Sequence, residues 1–147
     1  MQRAQAHLQK AQCHVKLNEY DAALTEFRAS LDAERAFKNV QTNCWLEFPW
    51  FLVAHEMSDY YDEATTVHKE FRTDSKLAFP ISRYQYSVVQ AFLAAACGER
   101  DLAKAHAQAA LKCAAENHSG FQYHPNLGLV DYIDPQIRSR LSKLIDE

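Results

Sequence analysis

Seven histidines and four cysteines are the residues of this chain with the most chemistry available to them. A histidine becomes a metal ligand or a proton carrier only when partners stand at workable spacing. His55 and Asp59, four apart, can share a helix face, but two groups do not make a site and no His-x-x-x-His pair adds to them. His118 and His124 flank a loop, with Tyr123 and Tyr132 near in sequence and Cys113 about a turn before His118. This cluster is the best place for a bound metal or for Cys-His nucleophilic chemistry between Cys113 and His124. Its simpler reading is a loop folded back and held by packing and hydrogen bonds, since zinc ligands generally come in close pairs.

Cys13, Cys44, Cys97 and Cys113 never approach C-x-x-C spacing, and they lie in Ala-rich helical patterns where a thiol behaves as a small apolar group. They read as reduced and buried. The sequence holds no Gly-rich phosphate loop, no G-x-S-x-G and no H-E-x-x-H. The expectation is therefore no catalytic residue, no metal and no cofactor.

The elements that would position these residues are helices. Three glycines and four prolines in 147 residues leave little to interrupt a helix. An all-α chain forming a single domain over residues 1–147 follows, with a piece of a longer protein as an open alternative. Sixteen basic and nineteen acidic side chains give a formal charge of −3, so no overall field draws the chain to nucleic acid. The longest apolar run, Phe48 to Ala54, is far short of a bilayer span and contains Pro49, and no leader pattern opens the chain. A cytoplasmic protein without membrane attachment is expected.

Ala4, Leu8, Ala11, Val15 and Leu17 recur at helical spacing, and after a turn at Asn18-Glu19 the positions Tyr20, Ala23, Leu24, Phe27 and Leu31 fall on one side of a second helix. The second helix should run from Tyr20 to about Phe37, with Asn39 as a left-handed stop. The third takes Val40 to Met57 and bends at Pro49. Asp59 is placed to cap the fourth, which ends near Thr73, and Pro80 opens the fifth. Gly98 separates the fifth from the sixth, which runs to about Asn117 with an Ala-rich stripe. The long segment 118–134 carries too many apolar residues to dangle and should fold back. Asp134-Pro135 starts a closing helix over 135–146, apolar at Ile137, Leu141, Leu144 and Ile145.

The small residues, aromatics and turns of this pattern resemble the tetratricopeptide repeat (TPR), a helix-turn-helix unit of about 34 residues. Ala11, Asn18-Glu19, Tyr20, Ala23, Phe27 and Ser30 carry the resemblance, and Ala64 and Ala103 repeat Ala23 at the longer intervals of 41 and 39 residues. The chain departs from the pattern at His7, Lys10 and Leu52. The resemblance implies a TPR-like array of three antiparallel hairpins plus a C-terminal capping helix, with the first helix of each hairpin lining a concave groove. By position the groove residues are Gln5, Gln9, Gln12 and Lys16, then Trp50, Val53 and Glu56, then Gln85, Val89 and Phe92. Trp45 should face the core instead. An aromatic anchor within a polar surround suits a peptide or partner helix, which makes a non-catalytic protein-binding module the expected function. The alternative is a small metal-dependent protein or enzyme using Cys113, His118 and His124. Because no cap precedes the first helix, Leu8 and Val15 should be covered by a second copy or by an upstream domain.

Overall fold

The computed structural model describes residues 2–147. Among them are seven α-helices, two 3-10 turns and no strand: α1 (Gln2–Lys16), α2 (Tyr20–Ala36), α3 (Cys44–Ala54), α4 (Tyr61–Phe71), α5 (Pro80–Ala96), α6 (Arg100–Ala114) and α7 (Pro135–Asp146), with the 3-10 turns at Ser58–Tyr60 and Asp74–Leu77. None of these helices is long and apolar enough to cross a membrane. The chain gathers into two compact units, 1–48 and 49–147, dividing inside α3.

In the first unit α1 and α2 pack as a hairpin. Asn18 takes the left-handed conformation (φ 58°), which lets Glu19 N–H reach back to the His14 carbonyl at 2.9 Å and closes α1. Ala4, Leu8 and Ala11 are buried, as are Ala23, Leu24, Phe27 and Leu31. Where the small residues bring the backbones together, Ser30 Oγ donates to the Ala4 carbonyl at 2.8 Å. Phe27 stacks on Phe48, ring centres 5.1 Å apart. The buried Glu34 carboxylate accepts from both the N–H and the hydroxyl of Thr42, which uses up its need for partners. Thr42 Oγ1 in turn accepts from Cys44 N–H at 3.1 Å. This arrangement occupies the residues just before α3, so α3 begins at Cys44 rather than Val40.

In the second unit α5 and α6 form a hairpin of the same kind. Gly98 (φ 77°) stands where Asn18 stands in the first, and Glu99 N–H reaches the Ala94 carbonyl at 3.0 Å. Tyr84, Val88, Ala91 and Phe92 of α5 are buried, as are Ala103, Ala107 and Ala110 of α6. The end of α3 has a third turn of this form: Glu56 is left-handed (φ 53°) and Met57 N–H donates to the Leu52 carbonyl at 2.9 Å. Ala64, Val67 and His68 are the buried residues of α4.

Segment 118–134 folds back onto the start of α5. Gly128 accepts from Ile81 N–H at 2.7 Å, and Phe121 stacks on Phe79 at 5.2 Å. A Cβ on Gly128 would lie 2.6 Å from Phe79, so the close approach requires glycine there. Asp134 caps α7 by accepting from the N–H groups of Gln136 (2.8 Å) and Ile137 (3.3 Å), and α7 buries Ile137 and Leu141 while packing on α6.

Several expectations need correction. Helix α3 ends at Ala54 rather than Met57, and Asp59 lies in a 3-10 turn rather than capping α4. Asn39 is not left-handed. Cys13 and Cys97 are exposed, because one lies on the outer side of α1 and the other at the turn after α5; Cys44 alone is fully buried. Leu8 is only 2% exposed within the single chain, and Val15 is half-buried. Leu17, at 65%, is the apolar residue left open there.

Candidate functional site

The end of α3 and the start of α7 enclose a cleft of about 290 Å³ in the second unit. Trp50, Ala54, His55 and Glu56 line one side; Asp134, Gln136, Ile137 and Arg140 line the other. Helix periodicity brings Trp50 and Ala54 to one face, and the left-handed turn at Glu56 then throws its carboxylate beyond the helix end.

Arg140 organises the cleft. Its Nη1 donates to the Val53 carbonyl at 2.9 Å, a second bond to a helix-end carbonyl that also accepts Glu56 N–H at 3.3 Å. Its guanidinium lies 3.9 Å above the centre of the Phe92 ring, and its Nε is 3.9 Å from Glu56 Oε1. One cation thus serves a carbonyl, an aromatic face and a carboxylate. Burial pushes the Tyr61 hydroxyl up, and Arg140 pulls it partly back. His55, whose ring lies 5.2 Å from Phe51, is pushed down by burial.

Tyr84 is buried with its ring 5.9 Å from Trp50. Burial pushes its hydroxyl up to about 12, and the hydroxyl meets no hydrogen-bond partner among the described residues.

Of the groove residues expected from the sequence, Trp50 and Glu56 line the cleft. Val53 and Val89 are wholly buried and Phe92 nearly so; they belong to the core, and Val53 contributes only its carbonyl. Gln85 is half-buried. In the first unit Gln5, Gln9 and Lys16 are exposed, whereas Gln12 is half-buried and donates to Glu47 at 2.7 Å. The groove expected from the sequence did not include His55, Asp134, Gln136 or Arg140. A signal existed for Arg140: it is three residues after Ile137 and adjoins Leu141, so it borders the buried stripe of α7.

The late cluster does not assemble. Cys113 is half-buried on α6, its thiol pushed up by burial and then by Glu116, which disfavours the nucleophilic thiolate. The His118 imidazole accepts from Gly120 N–H at 2.9 Å, and His124 contributes its carbonyl to the Ser119 hydroxyl. Ser119, not the histidines, holds the loop together: its N–H also donates to the Pro125 carbonyl at 2.7 Å. Among the described residues no group of three His, Cys, Asp or Glu is placed to hold a metal ion. Compared with known protein families, curated proteins and solved structures, the chain matches none.

Proposed function

We propose that the chain is a non-catalytic peptide-binding module of TPR-like helical hairpins, with α1/α2 and α5/α6 as its packed pairs and the Trp50–Arg140 cleft as its docking site. The observation that carries this reading is Glu56. Three turns share one left-handed geometry; two use Asn18 and Gly98, residues that accept it readily, and the third uses a glutamate. A side chain such as glutamate costs roughly 1 kcal/mol more than glycine in that conformation. Strain of this kind, at the rim of a cleft, points to a functional use for the carboxylate.

The cleft chemistry specifies the partner. Arg140 is held by the Val53 carbonyl and Asp134 by the first N–H groups of α7, which leaves Glu56, three-quarters exposed, as the charge open to an incoming group. The partner is a peptide or partner helix that presents a Lys or Arg beside an apolar side chain, the cation at Glu56 and the apolar group against Trp50.

Selection from a displayed peptide library tests this. The wild-type protein should enrich peptides with a basic-plus-apolar motif. Trp50→Ala should weaken them by about 2 kcal/mol, roughly thirtyfold. Glu56→Gly should weaken them too while raising the melting midpoint, because it relieves the left-handed glutamate. No enrichment, or enrichment indifferent to both substitutions, would reject the assignment.

A further inference from the structure

A second cavity, of about 340 Å³, opens between α4 and α5 and is independent of the peptide cleft. Thr65, His68, Lys69, Arg72, Tyr86 and Gln90 line it, so two of the six are cations and none is an acid. Lysine and arginine near the end of a helix often serve its terminal carbonyls. Here another residue does so: Lys76 Nζ donates to the Phe71 carbonyl at 2.8 Å, and the His68 carbonyl accepts Arg72 N–H at 3.0 Å. The side chains of Lys69 and Arg72 are therefore not consumed in capping α4. Arg72 does pair with Asp74 at 3.2 Å, but that carboxylate is 94% exposed and the pair is worth little.

The opposite wall is aromatic. Tyr86 lies over His68, ring centres 4.8 Å apart and 28° from parallel, and the Arg72 guanidinium sits 5.4 Å from the Tyr86 ring. Gln90 Nε2 is held at 2.8 Å from His68 Nδ1. Burial, and secondarily Arg72, pushes His68 down to about 4, so at neutral pH the ring is uncharged and accepts the amide at Nδ1.

We propose that this cavity binds a small organic phosphate, with Lys69 and Arg72 holding the phosphate oxygens and the ligand body packed on the Tyr86 face. A dianion matches two cations, and arginine presents a donor fork suited to phosphate. An aromatic wall favours a planar body over a bare ion, and the volume exceeds what phosphate alone would fill.

Phenyl phosphate and inorganic phosphate, titrated separately at constant ionic strength, are the probes, read by NMR of the Tyr86 and His68 ring signals. Phenyl phosphate should give saturable shifts and bind at least tenfold more tightly than inorganic phosphate. Lys69→Gln, at an exposed position, should leave the melting midpoint unchanged and weaken phenyl phosphate severalfold, and Arg72→Gln should act the same way on binding. Equal affinity for the two probes would overturn the role given to Tyr86. Non-saturating shifts, or binding untouched by Lys69→Gln, would overturn the site.

Discussion

The α1/α2 and α5/α6 hairpins are built on one register and filled in opposite ways. Asn18 and Gly98, Ala11 and Ala91, and Ala23 and Ala103 are each eighty residues apart, and the same offset carries Ala4, Leu8, Phe27 and Ser30 onto Tyr84, Val88, Ala107 and Ala110, all of them buried. In the first hairpin the bulky residue comes from the second helix, Phe27, while Ala4 and Ser30 let the backbones approach closely enough for a hydrogen bond. In the other the bulk comes from the first helix, Tyr84, and the second helix is a stripe of alanines. The turn and the alanines near it set how two helices meet, and the remaining volume can be supplied from either side.

The largest test of this comparison exchanges the bulk. Phe27→Ala should cost about 3–5 kcal/mol of stability by leaving a cavity, whereas Ala107→Phe, at the matching and fully buried position, should cost about 1–3 kcal/mol by overfilling it. Denaturant unfolding of both variants reads this directly. If Ala107→Phe were stabilising, the second hairpin would contain slack and the complementary filling would be wrong.

Acid should also separate the two units. His68 is buried in the second unit with a pKa near 4, against an ordinary value of 6.5. Between those values the unfolded chain takes up a proton that the folded one refuses. Stability is therefore greatest above about pH 6.5 and falls as pH drops toward 4, by roughly 3 kcal/mol from this group. The downward shifts of His55 and His106, both caused by burial, act in the same direction. Hydrogen exchange at pH 7 and pH 4.5 should show the loss in α4 and α5; an equal loss in α1 and α2 would place its origin elsewhere.

The turns give a smaller contrast. Gly98→Ala should cost about 1 kcal/mol from backbone conformation alone, since nothing stands within 4 Å of the added Cβ. Asn18→Gly should be close to neutral, because asparagine already tolerates this conformation. Thermal melts suffice, and a large loss at Asn18 would mean that its side chain contributes more than backbone geometry.

The smallest effect is expected at Tyr84, the bulky member of the second hairpin. Its ring fills space but its hydroxyl has no hydrogen-bond partner among the described residues, so Tyr84→Phe should be neutral or should stabilise by up to about 1 kcal/mol. A marked loss in denaturant unfolding would show that the hydroxyl is being used.

The features legible in the sequence were those set by near neighbours. Helical content followed from composition; the turns at Asn18 and Gly98, the entry at Pro80 and the cap at Asp134 followed from residues that accept special backbone angles or supply a missing partner within a few positions. The closing helix was found at 135–146 for that reason. Thr42 and Glu34, eight residues apart, already lay beyond such signals, and α3 began four residues later than its apolar pattern suggested.

What the tertiary structure alone decided was which side chains a face leaves open. Periodicity identifies one side of a helix but not what covers it, so Val53, Val89 and Phe92, placed along the groove by position, are instead buried. Their burial, and the candidate site with it, depends on chain segments far apart in sequence. Arg140 reaches the Val53 carbonyl across 87 residues, and no local pattern specifies that contact. It exists because folding brings a helix-end carbonyl with a free lone pair, an aromatic face and a cation into one place.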